Sequence, residues 1–339
     1  MLLWLKRVTV ITVTLLICLG ARSRVTTIKL ATLAPSGSTW MNVMQEMVKE
    51  LHDKSNGNIR IKIYPGGVLG DERDMVRRMK IGQLHAAAMT TIGISIIQKE
   101  ALVFQLPLIF QSYEELDYVR DNLRTTMEQA FEKKGFVLLG WGDVGPVHIF
   151  SKNPIQNKED LRKSKIWGWI DDPISTALCK EGGIKPIPLS VSEVLPSLQT
   201  GIVNAAPSTP LACIALQWFS KFNYMSDLVM SIAIGATVMT KKQYDQLDAS
   251  NKVLLRDIAK SYHQKLTHRI RRDNEESIEA LKKNGIRIVP ASADGIKDWE
   301  KVALKIRNEM VGQIYSQSLL DEVVRLIEEY RMKNFHEVY

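Results

Sequence analysis

IRIKIYPGG, residues 59–67, is the stretch that decides the fold, because six alternating apolar and polar residues are closed by a Pro-Gly-Gly turn. Such alternation predicts a strand with one buried face. Before it lie a β-rich run at 28–33 and apolar residues at helical spacing from Trp40 to Leu51. After it, a capped helix is predicted over 71–82 and a strand over 85–90. The resulting βαβαβ order is typical of a mostly parallel sheet with helices on both faces.

A second region of alternating strands and helices follows. Strands are predicted at 136–141, 147–151 and 184–189, and helices at 173–181 and 191–200. Beyond Thr240 the pattern becomes helical, and Asp248 is the predicted N-cap of a helix over 251–283. A late strand at 285–290 precedes further helix. The sequence therefore predicts an α/β protein.

Length and charge restrict the function classes. The chain has 339 residues, more than one core usually fills, so two lobes are expected. Its net charge of +8 is spread along the chain, and the densest run, Arg269–Arg272, is followed at once by acidic residues. A nucleic-acid interface requires a basic stripe or a known module. Neither is found, so no nucleic-acid partner is expected.

The first 23 residues have the pattern of a secretory signal, with Lys6 and Arg7 before an apolar run of 12 residues. A small-x-small cleavage site at 21–23 follows. The alternatives are an uncleaved membrane anchor and lipidation at Cys18, against which the bulky Ile17 argues. Export predicts a periplasmic protein. Cleavage would remove three basic residues and lower the net charge to +5.

Two cysteines remain after such cleavage. Cys179 and Cys213 each lie in an apolar helical context, which favours buried, unpaired thiols. A disulfide is the alternative in an oxidising compartment.

No enzyme motif is present in the sequence. There is no nucleophile elbow, phosphate loop or zinc helix, and the six histidines are dispersed. Asp171 and Asp172 form a carboxylate pair, but Pro173 follows, which favours a helix start. We expect no enzymatic activity, no cofactor and no metal.

Several segments together resemble the solute-binding subunits of tripartite ATP-independent periplasmic (TRAP) transporters, the DctP family. Each is weak alone, but their order and spacing cover the chain from about residue 28 to 310. The segments are KLATLAP (29–35), YPGGVLGDERDM (64–75), GQLHA (82–86), LPLIF (106–110), KEDLR (158–162), PIPL (186–189) and LPSLQTGIVNA (195–205).

The resemblance implies two α/β lobes, a long helix that spans both, and a cleft that closes on a small-molecule ligand. Lobe I would comprise 24–144 and 233–272, and lobe II 145–232 and 273–339. The implied partners are the membrane permease subunits and, in some relatives, a periplasmic tetratricopeptide-repeat protein.

Ligands of open α/β sheets bind beyond the carboxyl ends of the strands. On that rule and the resemblance, twelve residues are candidates for the cleft. They are Leu33, Ala34, Met89, Thr90, Thr91, Trp141, His148, Trp167, Val191, Pro207, Ser208 and Thr209.

The sequence departs from the family at one position that matters for the ligand. Most members end the Lys-Ile motif with an arginine that binds the substrate carboxylate, whereas this chain has Trp167 after Lys165-Ile166. Trp167 and Trp169 are two residues apart on a predicted strand, and we expect only Trp167 to face the cleft.

Three hypotheses follow from this departure. The favoured one is an apolar or weakly polar ligand packed against Trp167. The second is a degenerate cleft filled by Trp167, in a protein that functions by docking to partners. The third is an organic acid held by another basic group such as His148.

Overall fold

The computed structural model describes residues 25–335, so the predicted signal at 1–23 lies outside it. Ten strands form the sheets of this part of the chain. They are β1 (Thr26–Thr32), β2 (Ile59–Tyr64), β3 (Ala86–Thr90), β4 (Phe136–Ser151), β5 (Trp167–Trp169), β6 (Ile187–Leu189), β7 (Ala205–Ser208), β8 (Tyr224–Ser226), β9 (Ser231–Thr240) and β10 (Arg287–Val289).

One eight-stranded sheet runs through the molecule in the order β10-β8-β4-β9-β3-β1-β2, and β7 also pairs with β4. Strand β1 is parallel to β2 and to β3, with Ile28 opposite Ile61 and Ala31 opposite Ala87. The predicted βαβαβ order is therefore confirmed. The pair β5-β6 forms a separate parallel sheet.

Strand β4 corrects the prediction of two strands at 136–141 and 147–151. It is one continuous strand of 16 residues that pairs with β9 along its first part and with β7 and β8 at its end. The register shifts at Leu138/Gly140 and at Asp143/Gly145, so bulges rather than a break accommodate the glycines. This strand joins the two ends of the sheet.

Helices cover the sheets on both sides. They are α1 (Thr39–Lys54), α2 (Glu72–Lys80), α3 (Thr91–Ser95), α4 (Tyr113–Asn122), α5 (Arg124–Lys133), α6 (Lys158–Arg162), α7 (Pro173–Glu181), α8 (Val191–Thr200), α9 (Pro210–Ala215), α10 (Lys241–Tyr244), α11 (Ala249–Lys283), α12 (Ala293–Glu309) and α13 (Gln317–Phe335). Two short 3₁₀ helices occupy Lys99–Gln105 and Trp218–Lys221.

Helix α11 is the predicted long helix, and Asp248 caps it by accepting from Asn251 N. At 35 residues it is about 52 Å long. Its Tyr262 hydroxyl donates to Glu50 of α1, whereas Leu281 belongs to the apolar cluster around Phe150. The helix therefore contacts both ends of the sheet, as predicted.

Helix α11 packs on the glycines of β4 at very close range. A Cβ added at Gly140 would lie 2.4 Å from Cγ of His263. At Gly145, whose φ is +126°, an added Cβ would lie 2.4 Å from Nδ2 of Asn274. These close approaches require glycine and fix the helix against the strand.

Four charged side chains connect α4, β4 and α11. Asp143 is fully buried and accepts from Arg120 Nη1 at 2.9 Å and Arg271 Nε at 2.6 Å. Arg271 also donates to both carboxylate oxygens of Asp117, at 2.8 and 2.7 Å. Burial of these charges is tolerated because each has an opposite charge as hydrogen-bond partner.

The last described helix, α13, forms an ion pair and a hydrogen bond with α4, in addition to ion pairs within itself. Arg331 donates to Glu115 Oε1 at 2.7 Å, and the Tyr118 hydroxyl donates to Glu329 Oε1 at 2.7 Å. These pairs link two helices that the sequence analysis assigned to different lobes. The residue limits of the lobes remain a prediction.

Cys179 and Cys213 are free and buried in the structure, which confirms the prediction of unpaired thiols. Burial raises the pKa of the Cys179 thiol to about 11. No helix within 25–335 is both long enough and apolar enough to span a membrane.

Candidate ligand-binding cavity

A cavity of about 310 Å³ lies where the two ends of the sheet face each other. Its wall includes Leu33 and Ala34, which follow β1, and Met89 and Thr90 at the end of β3. From the other side, β5 and the segment after β7 contribute. The cavity therefore lies beyond the carboxyl ends of parallel strands, where open α/β sheets bind ligands.

Nine of the twelve predicted residues lie together on this wall. They are Leu33, Ala34, Met89, Thr90, Trp167, Val191, Pro207, Ser208 and Thr209. Thr91, Trp141 and His148 do not lie on it, so their predicted place in the cleft is wrong for this cavity.

Each of these three side chains is directed to a partner within the protein. The Thr91 hydroxyl, fully buried, donates to the carbonyl of Ile234 at 2.8 Å. Trp141 packs edge-on against Phe104, with ring centroids 5.4 Å apart. The bulges in β4 shift the alternation of side chains, which explains why Trp141 and His148 face inward.

His148 has no role as a cationic anchor in this geometry. Its Nδ1 lies 2.9 Å from the carbonyl oxygen of Ser226. Burial lowers the pKa of the imidazole, so the neutral form is favoured.

Tryptophan side chains form much of the wall. Trp167 and Trp169 both line the cavity, with ring centroids 5.9 Å apart, so the expectation that only Trp167 faces it is wrong. Trp167 Nε1 donates to the carbonyl of Leu189 at 3.0 Å, and its ring packs edge-on against Trp218. Trp40 and Trp299 complete the set. The sequence analysis did not identify Trp40, Trp218 or Trp299 as wall residues.

Two acidic side chains also lie on the wall, and neither was predicted there. Glu72, at the start of α2, accepts from Thr90 N and Gly93 N, both at 2.7 Å, and from the Thr90 hydroxyl at 2.8 Å. Burial raises the pKa of Glu72 to about 8, although these hydrogen bonds favour the ionised form. A Cβ on Gly93 would lie 2.6 Å from Glu72 Oε2, so glycine is needed there.

Asp172 is the N-cap of α7, as the sequence predicted. Its Oδ1 accepts from Ser175 N at 2.9 Å, and Pro173 occupies the first turn of the helix. Burial raises the pKa of Asp172 to about 6. Asp172 is nonetheless one of the residues that line the cavity.

The wall contains no basic side chain. Of the residues within 25–335 that line the cavity, none is arginine, lysine or histidine. In the same part of the chain no group of His, Cys, Asp or Glu has the arrangement of a metal site. A ligand carboxylate would therefore meet no cationic partner on this wall.

Two contacts join the opposite walls beside the cavity. Arg73 of α2 forms an ion pair with Asp171, which precedes α7. The backbone N–H of Val191, at the start of α8, donates to Asp71 Oδ2 at 3.3 Å. These contacts hold the walls together in the conformation described.

Two lobes joined by a long strand and a long helix, with a cavity between them, define a periplasmic binding protein. Comparison with known families agrees: residues 30–313 match the family of bacterial extracellular solute-binding proteins, family 7 (DctP). The chain belongs to this family. Its members are substrate-binding transport proteins of the periplasm and function with membrane permease subunits.

Individual relatives are distant. An uncharacterised protein from Salmonella typhimurium, YiiZ, is 33% identical over 168 residues, which is 48% of this chain and about half (51%) of that protein. The sialic acid-binding periplasmic protein SiaP of Vibrio cholerae is 23% identical over 91% of this chain and 97% of its own length.

A solved structure confirms the fold. A TRAP periplasmic solute-binding protein from Xanthobacter autotrophicus, with bound β-D-galacturonate, matches with a TM-score of 0.83 at 21% identity. The match covers 89% of this chain and 99% of that chain.

Proposed function

We propose that this chain is the extracytoplasmic receptor of a TRAP-type secondary transporter, which captures a small ligand by hinge closure and delivers it to the membrane permease. Family membership supports the transport role, and the contacts that join the walls support closure around a ligand. In this proposal residues 1–23 are a signal peptide that directs export, and the protein is periplasmic and not an enzyme. The proposal also includes a periplasmic tetratricopeptide-repeat protein as a partner.

The ligand in this proposal has an apolar or weakly polar body. The observation that carries it is the wall itself, to which residues 25–335 contribute many aromatic and aliphatic side chains and no basic one. An organic acid needs charge-assisted hydrogen bonds, and the expected arginine position holds Trp167, which is 5% exposed. Ligands with apolar bodies gain most from walls of this composition.

The cavity volume bears on the alternative of a degenerate cleft. Trp167 does not fill the space, because about 310 Å³ remains. A small ligand is therefore favoured over a protein that functions by docking alone.

Titration calorimetry of the protein freed of bound small molecules tests the proposal. The acids to compare are D-galacturonate, succinate and N-acetylneuraminate, and octanamide serves as a neutral medium-chain compound. We expect that none of the acids binds with a Kd below about 1 mM. We also expect that octanamide binds and that Trp167→Ala weakens this binding. Micromolar binding of any of the acids would overturn the apolar-ligand proposal and favour the organic-acid alternative.

A further inference from the structure

The charge of the cavity wall bears on which polar group the ligand carries. The only carboxyl groups that the described residues place on the wall are those of Glu72 and Asp172, and burial raises the pKa of Glu72 to about 8, which favours its neutral form near neutrality. A wall with a negative charge and, among the described residues, no positive one favours a ligand of the opposite sign.

Glu72 is already used by the protein. Its two oxygens accept three hydrogen bonds from Thr90 and Gly93, and it fixes the turn between β3 and α3. This carboxyl group has a structural function and leaves Asp172 for the ligand.

Asp172 lacks an ion-pair partner. Within residues 25–335 no basic side chain pairs with it, whereas its neighbour Asp171 pairs with Arg73. Its hydrogen bonds are to backbone N–H groups at the start of α7. A buried carboxylate without a cation is costly, and a bound cation would remove that cost.

The aromatic part of the wall also favours a cation. Trp167, Trp169 and Trp218 form one aromatic cluster, and indole faces attract ammonium groups.

We propose that the ligand is a small organic cation, an ammonium group on an apolar body, and that Asp172 is the side chain that binds the ammonium. The inference rests on the proposed function, because it assigns the polar end of a ligand whose body packs on the tryptophans. The apolar body fills the aromatic part of the cavity, and the ammonium donates to Asp172.

A matched series of probes tests the charge directly. Hexyl, cyclohexylmethyl and 2-phenylethyl skeletons are each measured as the primary ammonium, the alcohol and the carboxylate by calorimetry. We expect one ammonium to bind at least about tenfold more tightly than the alcohol of the same skeleton, and the carboxylate to bind most weakly.

The variant Asp172→Asn keeps a good N-cap and removes the charge, so α7 is retained. It should abolish the preference for the ammonium over the alcohol of the same skeleton. Asp248→Asn, the same substitution at the N-cap of α11, is the control and should preserve the preference.

The outcomes distinguish this inference from the proposed function. If the alcohols bind as well as the ammonium compounds, or if Asp172→Asn retains the preference, the cation inference is overturned and the receptor for an apolar body stands. Tightest binding of a carboxylate overturns both, and so does the absence of binding by all nine compounds.

Discussion

The guanidinium group of Arg73 forms an ion pair with the carboxylate of Asp171 and thereby links α2 to the start of α7. Each of the two residues is the sequence neighbour of a carboxyl residue on the cavity wall, Glu72 and Asp172 respectively. The pair therefore connects the opposite walls directly beside the cavity. In an open conformation these two residues would separate.

Removal of this pair should accelerate ligand release. Arg73 is 63% exposed, so we expect the dissociation rate to rise about twofold to fivefold in Arg73→Ala, in the range of exposed ion pairs. Stopped-flow tryptophan fluorescence with the tightest compound of the probe series measures the rate. Arg77→Ala is the control, because Arg77 pairs within its own helix, with Asp74. An equal effect in both variants would exclude a specific role in closure.

Loss of the buried charge of Asp143 should destabilise the whole protein. Arg120 and Arg271 would keep Asp117 but lose the fully buried carboxylate that they share, and broken buried ion pairs cost about 3–5 kcal/mol. Urea denaturation of Asp143→Asn measures this loss. The exposed pair of Asp121 with Arg124 gives the control Asp121→Asn, for which less than about 1 kcal/mol is expected. A loss of that small size in Asp143→Asn would contradict the prediction.

Features set by local sequence were predicted correctly. Asp248 and Asp172 act as N-caps because a short side chain bonds to backbone N–H groups three residues on, within the same segment. The βαβαβ order likewise follows from the spacing of apolar residues in the first hundred positions.

Features that depend on distant partners were not predicted. The glycines of β4 predicted a break between two strands, yet β4 continues through two bulges because it pairs with β9. These bulges turn Trp141 and His148 away from the cavity. The expectation that only Trp167 faces the cavity misapplied strand alternation, because residues two apart lie on the same face of a strand and Trp167 and Trp169 of β5 therefore share one. Asp172 was identified as a cap, but the sequence does not show that α7 begins on the cavity wall.

Acid should destabilise the protein through His263. Burial lowers the pKa of this imidazole from 6.5 to about 4, with Nε2 2.8 Å from the Thr237 hydroxyl oxygen. Between pH 4 and pH 6.5 the unfolded state binds the proton more readily than the folded state does. The contribution of His263 to the free energy of unfolding is therefore fully present above pH 6.5 and is lost as the pH falls towards 4. The contribution is about 3 kcal/mol.

Urea denaturation across this pH range tests the effect. His263→Gln should show a smaller decrease between pH 6.5 and pH 4 than the unmodified protein. His268 is exposed on the same helix, and His268→Gln should retain the full decrease. If His263→Gln retains it as well, another group is responsible.

An arginine at position 167 should convert the receptor to an organic-acid binder. The proposed function takes position 167 as that of a carboxylate-binding arginine in relatives, and the described residues that line the cavity offer a carboxylate no cation. In Trp167→Arg we expect D-galacturonate or succinate to bind at least about tenfold more tightly than in the unmodified protein. Trp169→Arg adds the same charge to the same cavity two residues away and is the control. Calorimetry of both variants, with circular dichroism to verify folding, separates position from charge. If a folded Trp167→Arg gains no acid binding, or if Trp169→Arg gains as much, Trp167 does not occupy the place of that arginine, and the argument from the missing anchor fails.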